Sequence, residues 1–121
     1  MSTLAKTWIL DLDGTILKHN GPLKECGETL LSGVKEFFAE NIKEEDMVVL
    51  ITAREEKYRE QTIKFLQENN IRYDNIIFSA PWGERIIIND TKPEGMITAV
   101  AIPVVRDEGL FDIDITFKED I

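Results

Sequence analysis

The sequence has a single cysteine, Cys26, and a single histidine, His19. One cysteine excludes an internal disulfide and sets the expectation of a reducing, cytoplasmic setting. Cys26 has no partner histidine nearby, so it receives no catalytic role, and His19 reads as a solvated loop residue. Long apolar runs are missing too. None approaches the roughly 18 residues of a membrane span, and the expectation is no membrane contact. No basic segment followed by an apolar stretch opens the chain, so no secretory leader is expected. Cations are scarce: 14 Lys and Arg against 23 Asp and Glu give a net charge of −9. That balance opposes broad nucleic-acid binding, which needs a basic surface. Repeats, linkers and low-complexity segments are absent, and residues 1–121 read as one domain with a single core.

What the chain does have is concentrated in Thr7-Trp8-Ile9-Leu10-Asp11-Leu12-Asp13-Gly14-Thr15. Trp8-Ile9-Leu10 is a short apolar run that reads as a buried strand. Asp11 and Asp13 follow two residues apart. Residues i and i+2 of a strand share a face, so both carboxylates can enter one site as the strand ends. Gly14 marks the exit of the backbone from the strand. Two anions this close repel unless a cation holds them or one is protonated, a cost usually kept for chemistry. A turn or helix cap would also use Asp and Gly. The order Asp-x-Asp-Gly-Thr directly after an apolar strand, however, arises by chance about once in a thousand chains of this length.

The rest of the chain alternates short apolar runs with amphipathic stretches. Strands are expected at residues 7–12, 47–51, 76–78 and 86–88. Leu30, Leu31, Val34, Phe37 and Phe38 lie on one face of a helix over about 27–41. Tyr58, Thr62, Phe65, Leu66 and Asn69 form the inner stripe of a second helix over about 55–69, with Asn69-Asn70 suited to its cap. Lys18 to Cys26 is a polar loop. Ile113, Ile115 and Phe117 alternate with Asp112, Asp114 and Thr116, the pattern of a half-exposed edge strand at the C-terminal end. The expected fold class is α/β: a three-layer, Rossmann-like, mainly parallel sheet with helices on both faces. Ligands of such sheets bind beyond the carboxyl ends of the strands. Asp11 and Asp13 fall there after the first strand, Thr52 after the second and Asp90 after the fourth.

With Asp-Leu-Asp-Gly-Thr, Ile-Thr-Ala-Arg and Ile-Asn-Asp in this order, residues 7–92 resemble the haloacid dehalogenase superfamily of phosphatases. Within it the chain is most similar to the small, capless members, including phosphatases of the capsule-biosynthesis type. The resemblance implies a Mg²⁺-dependent phosphomonoester hydrolase. Asp11 would be the nucleophile that forms an aspartyl-phosphate. Asp13 would be the general acid for the leaving alcohol and then the base for water. Thr52 would hydrogen-bond the phosphoryl group. Ala53 and Arg54 beside it, and Trp82 in the loop Ala80-Pro81-Trp82-Gly83, would be candidate substrate contacts, with packing an equal reading for Trp82. Asp11, Asp13 through its backbone carbonyl, and Asp90 would hold Mg²⁺, a hard oxygen set suited to that ion. Asn89 would support the same loop. The substrate would be a small sugar phosphate or a larger phosphorylated molecule. An open, capless site further suggests an extended substrate or closure by a second copy of the chain, with the C-terminal edge strand available for pairing.

Members of that superfamily usually carry a lysine or arginine soon after the third strand, where this chain reads Phe78-Ser79-Ala80-Pro81. The phosphate cation must then come from elsewhere. With Ile86–Ile88 as a strand, Arg85 falls at the end of the sheet away from Asp90, about 16 Å off. Lys92, two residues past Asp90, therefore ranks first as a catalytic cation, Arg54 second and Arg85 third. Two other readings stand beside the phosphatase. One is a phosphate-binding relative without catalysis. The other is a signalling receiver domain, which would need an aspartate where Phe78-Ser79-Ala80 stands.

Overall fold

The computed structural model describes residues 1–23 and 27–116. Cys26 and Phe117 lie outside the described residues. Three parallel strands form the sheet: β1 (Thr7–Asp11), β2 (Met47–Ile51) and β3 (Asn75–Ile77), in the order β1-β2-β3. Asp11 pairs in register with Ile51, and Ile51 with Ile77, so the three carboxyl ends are level. Helix α1 (Val34–Asn41) joins β1 to β2, and helix α2 (Arg59–Glu68), entered through a 3₁₀ turn at Glu56–Tyr58, joins β2 to β3. Among the described residues this is an open, parallel α/β sheet with two α-helices. No helix among the described residues is long and apolar enough to cross a membrane.

The period-2 pattern of the strands separates two faces. Val48, Leu50 and Ile76 are buried, and Trp8 and Leu10 pack against them. This face shares one apolar cluster with Val34 and Phe37 of α1 and Leu66 of α2. Trp8 meets Phe37 edge-on, with ring centroids 5.7 Å apart. Both crossovers run in the same sense along the sheet, and the shared cluster places both helices on this side. Ile9, Met47 and Ile77 on the other face remain about half exposed.

Helix α1 is shorter than its apolar spacing suggests. Gly33 takes a left-handed φ of 76° directly before Val34 and ends any helix approaching from upstream. Leu31 is still buried in the core, and Leu30 forms an isolated antiparallel bridge with Leu17. Their apolar character serves loop packing rather than a helical face. Ile86–Ile88 is not a strand. Ile86 and Ile88 are 81% and 93% exposed. The following residues bond locally instead of joining the sheet: Asn89 Nδ2 donates to Thr98 Oγ1 at 2.9 Å, and Gly95 N–H to the Lys92 carbonyl at 2.8 Å. Residues 113–116 belong to no strand either, although Ile113 and Ile115 pack on the core and Asp112, Asp114 and Thr116 face solvent.

Asp46 fixes the amino ends of β1 and β2. Its carboxylate accepts from Lys6 N–H at 2.9 Å, Lys43 N–H at 2.9 Å and Trp8 Nε1–H at 2.8 Å. Burial pushes the Asp46 pKa up, but the Trp8, Lys6 and Lys43 hydrogen bonds outweigh it and leave the value below the ordinary one. A depressed folded-state value contributes stability above the unfolded value and loses it as pH falls through the folded one. Asp46→Asn replaces one acceptor by a donor and should cost about 1–3 kcal/mol near neutral pH. In thermal melts the gap to wild type should be full well above the ordinary carboxylate value of 3.8 and should close below it.

Candidate active site

The chain leaves β1 through a tight turn. The Leu12 carbonyl accepts from the N–H groups of Ile16 and Leu17 at 3.0 and 2.9 Å, and Gly14 supplies a φ of 87°. A side chain at Gly14 would press on Arg106, 3.1 Å from its Cγ. The next residue, Asp107, pins the same turn, donating its N–H to the Gly14 carbonyl at 2.9 Å and accepting from His19 N–H at 2.8 Å. Asp11, the last residue of β1, and Asp13, just beyond it, are thereby held at the carboxyl end of the sheet.

Thr52 occupies the matching place after β2 and is fully buried. Its N–H continues the ladder to the Ile77 carbonyl at 2.9 Å, and its own carbonyl accepts from Ala80 N–H at 3.0 Å. The Thr52 hydroxyl donates to Asp13 Oδ2 at 2.9 Å and accepts from Arg54 N–H at 3.0 Å. The structure thus brings Asp11, Asp13, Thr52 and Arg54 to one end of the sheet, with Ala53 between the last two.

Arg54 turns inward rather than toward solvent: it is only 7% exposed. Its Nε–H bonds Asp13 at 3.0 Å, and Nη2 bonds Asp13 Oδ1 at 2.9 Å. From the other side, Glu28 accepts from Nη2 at 2.8 Å and from Nη1 at 2.6 Å. Nη1 also donates to Thr62 Oγ1 of α2 at 2.8 Å. A guanidinium has five N–H donors, and these contacts use all of them. Burial lowers the Arg54 pKa, but hydrogen bonds and charge from Glu28 and Asp13 prevail and raise it above the ordinary value. A guanidinium so enclosed has no N–H left for a phosphate, and its place in the structure is structural.

Arg85 also departs from expectation. Because residues 86–88 are not a strand, nothing carries Arg85 to the far end of the sheet. Its Nη1 donates to Asp11 Oδ1 at 3.0 Å, and both side chains remain about one-third exposed. Asp11 Oδ2 accepts from the Thr15 hydroxyl at 3.1 Å. Asp90 and Lys92 lie in the locally bonded loop described above, where the Asp90 carbonyl accepts from the Thr98 hydroxyl and Lys92 N–H from its place bonds the Met96 carbonyl at 3.3 Å. Trp82 is 89% exposed. Among the described residues no three His, Cys, Asp or Glu side chains are grouped to hold a metal ion. Asp11 and Asp13 supply two carboxylates, and Asp90 is not gathered with them. A groove of about 490 Å³ opens elsewhere, lined by Phe38, Ile42, Ile71 and Arg72 among others, and none of the site residues borders it.

Glu28 is the site residue that sequence reasoning missed. It lies in a polar stretch, 26 positions from Arg54, and no local spacing links the two. A search of known proteins for similarity finds no matching family model, curated protein or solved structure.

Arg54→Ala should destabilise the protein by about 3–5 kcal/mol, because it leaves the Glu28 carboxylate buried without its cation. Arg54→Lys should recover only part of that loss, since an ammonium cannot reproduce the two-sided fork. Chemical denaturation of the three proteins checks both expectations.

Proposed function

We propose that the chain is a phosphomonoesterase working through an aspartyl-phosphate on Asp11. The observation that carries this reading is the company of Asp11. At the level carboxyl ends of a parallel sheet it stands with an exposed cation, Arg85, and two residues from Asp13, which bonds Thr52. Asp11 is about one-third exposed, so a substrate can reach it. Arg85 answers the need for a cation left open by Phe78-Ser79-Ala80-Pro81, and takes that role in place of Lys92. It would neutralise the approaching phosphate and stabilise the charge on the transferring group.

In the first half-reaction an Asp11 carboxylate oxygen attacks phosphorus. The P–O bond to the leaving group breaks, and Asp13 gives its proton to the departing alcohol. In the second, Asp13 takes a proton from water as that water attacks phosphorus, releasing inorganic phosphate and restoring Asp11. In the structure every hydrogen bond to the Asp13 carboxylate is one it accepts, from Thr52 and Arg54. That arrangement suits the water-activating half. Mg²⁺ belongs to the same proposal: carboxylate oxygens of Asp11 and the Asp13 carbonyl are its preferred hard donors. When bound, it would offset the repulsion between phosphate and carboxylates.

The three-layer, haloacid-dehalogenase-like architecture is also part of the proposal. Its support is the parallel order β1-β2-β3 with the motif residues at the carboxyl ends. Parallel sheets are normally covered on both faces, and the half-exposed Ile9 and Ile77 mark the face a further layer would cover.

Hydrolysis of p-nitrophenyl phosphate, measured with Mg²⁺ and after EDTA, tests the reading directly. Asp11→Asn should abolish turnover, and beryllium fluoride should occupy Asp11 only in the wild type. Asp13→Ala should cost about 10²–10⁴-fold on β-glycerol phosphate, whose poor leaving group needs the proton, and less on p-nitrophenyl phosphate. Arg85→Ala should lower kcat/KM by about 10²-fold with little change in melting temperature, because the lost contact is to the reacting group. A wild type without activity on any phosphomonoester, or an Asp11→Asn protein with more than a few per cent of wild-type rate, contradicts the mechanism.

A further inference from the structure

The buried ion cluster behind Asp13 has no part in the chemistry just described, yet it touches the group that moves the proton. We infer that Glu28 is a positioning residue: by gripping the rear of the Arg54 guanidinium it fixes the direction of the Asp13 carboxylate. This inference rests on the phosphatase reading for its consequence in turnover, but its structural half stands without it.

Three observations carry it. First, Arg54 is held by two opposed carboxylates. Asp13 takes Nε and Nη2, and Glu28 takes Nη1 and Nη2. A planar fork gripped on two edges cannot rotate about its stem, whereas a fork gripped on one can. Second, Glu28 is enclosed: its side chain is 5% exposed and that of Arg54 4%. Gln61 of α2 adds a contact to Glu28 Oε2 at 3.3 Å, so the carboxylate is steadied from the helix that also offers Thr62 to Arg54. Third, the opposite wall of the Glu28 site is a glycine. A Cβ built on Gly21 would overlap Oε1 of Glu28. Gly21 has no left-handed φ, so its lack of a side chain answers to this close approach rather than to backbone freedom.

The consequence is selective. A misdirected Asp13 harms water activation, which both esters share, and in addition proton delivery, which a poor leaving group needs and p-nitrophenolate does not. Glu28→Gln keeps the shape of the side chain and removes its charge. Gly21→Ala keeps both charges and displaces the carboxylate, so it provides the same comparison if the first variant does not fold. With β-glycerol phosphate as the alkyl ester, each variant should lower kcat by at least about tenfold. On p-nitrophenyl phosphate the loss should be at least about threefold smaller, with KM unchanged on both esters. In parallel, the Arg54 Nε–H resonance should exchange with solvent faster in Glu28→Gln than in wild type. A purely structural role would lower both rates alike. Equal losses on the two esters overturn the inference, as does an Arg54 Nε–H whose exchange is unchanged in the variant. A wild type inactive on both esters falls on the phosphatase reading instead, and the exchange measurement then decides by itself whether Glu28 holds Arg54.

Discussion

A buried guanidinium between two carboxylates is the constraint on which the site end of the molecule depends. Removing an unpaired charge from water costs several kcal/mol, and only well-formed partners offset it. Arg54 meets that condition through three segments distant in sequence: Asp13 beyond β1, Glu28 in the following loop, and Thr62 on α2. No one of these segments satisfies the cation alone. The loop after β1, the turn after β2 and the second helix must therefore come together at once. The level ends of the parallel strands set the stage for this, and the ion cluster fixes what stands on it.

The separation between Arg54 and Arg85 follows from burial. Both are arginines near an aspartate of the same motif. Arg54 is saturated by the protein's own acceptors, while Arg85 holds Asp11 by one hydrogen bond at the surface. A cation with spare donors and access to solvent can meet an incoming anion; an enclosed one can only shape what is already there. Burial, not chemistry, is what separates the two arginines.

Elements with local signatures were legible in the sequence. Met47–Ile51 is a strand with the bounds its apolar run predicts, and the spacing of Thr62, Phe65 and Leu66 finds α2. Asp11 ends its strand and Asp13 lies just beyond it, because the backbone turns out of the sheet at Gly14, as the Asp-Gly order indicates. Apolar content without a periodic partner misled. Leu30 and Leu31 extend a helical stripe on paper, but Gly33 breaks the backbone before Val34. Ile86-Ile87-Ile88 has the composition of a buried strand and no ladder, because the residues after it bond to one another. The error over Arg85 descends from that one, since its place was inferred from a strand that does not form. Glu28 was illegible for another reason: its pairing with Arg54 is a property of the assembled loops, and nothing in the spacing of a polar stretch records it.

The charged cluster also gives the two halves of the molecule different responses to heat. Hydration of ions becomes less favourable as temperature rises, so the penalty for keeping Arg54, Glu28 and Asp13 out of water shrinks on warming. The gain from apolar burial along Val48, Leu50 and Leu66 levels off over the same range, and it weakens on cooling. Warmth therefore favours the order around Asp13 relative to the sheet core beneath it, and cold works against both.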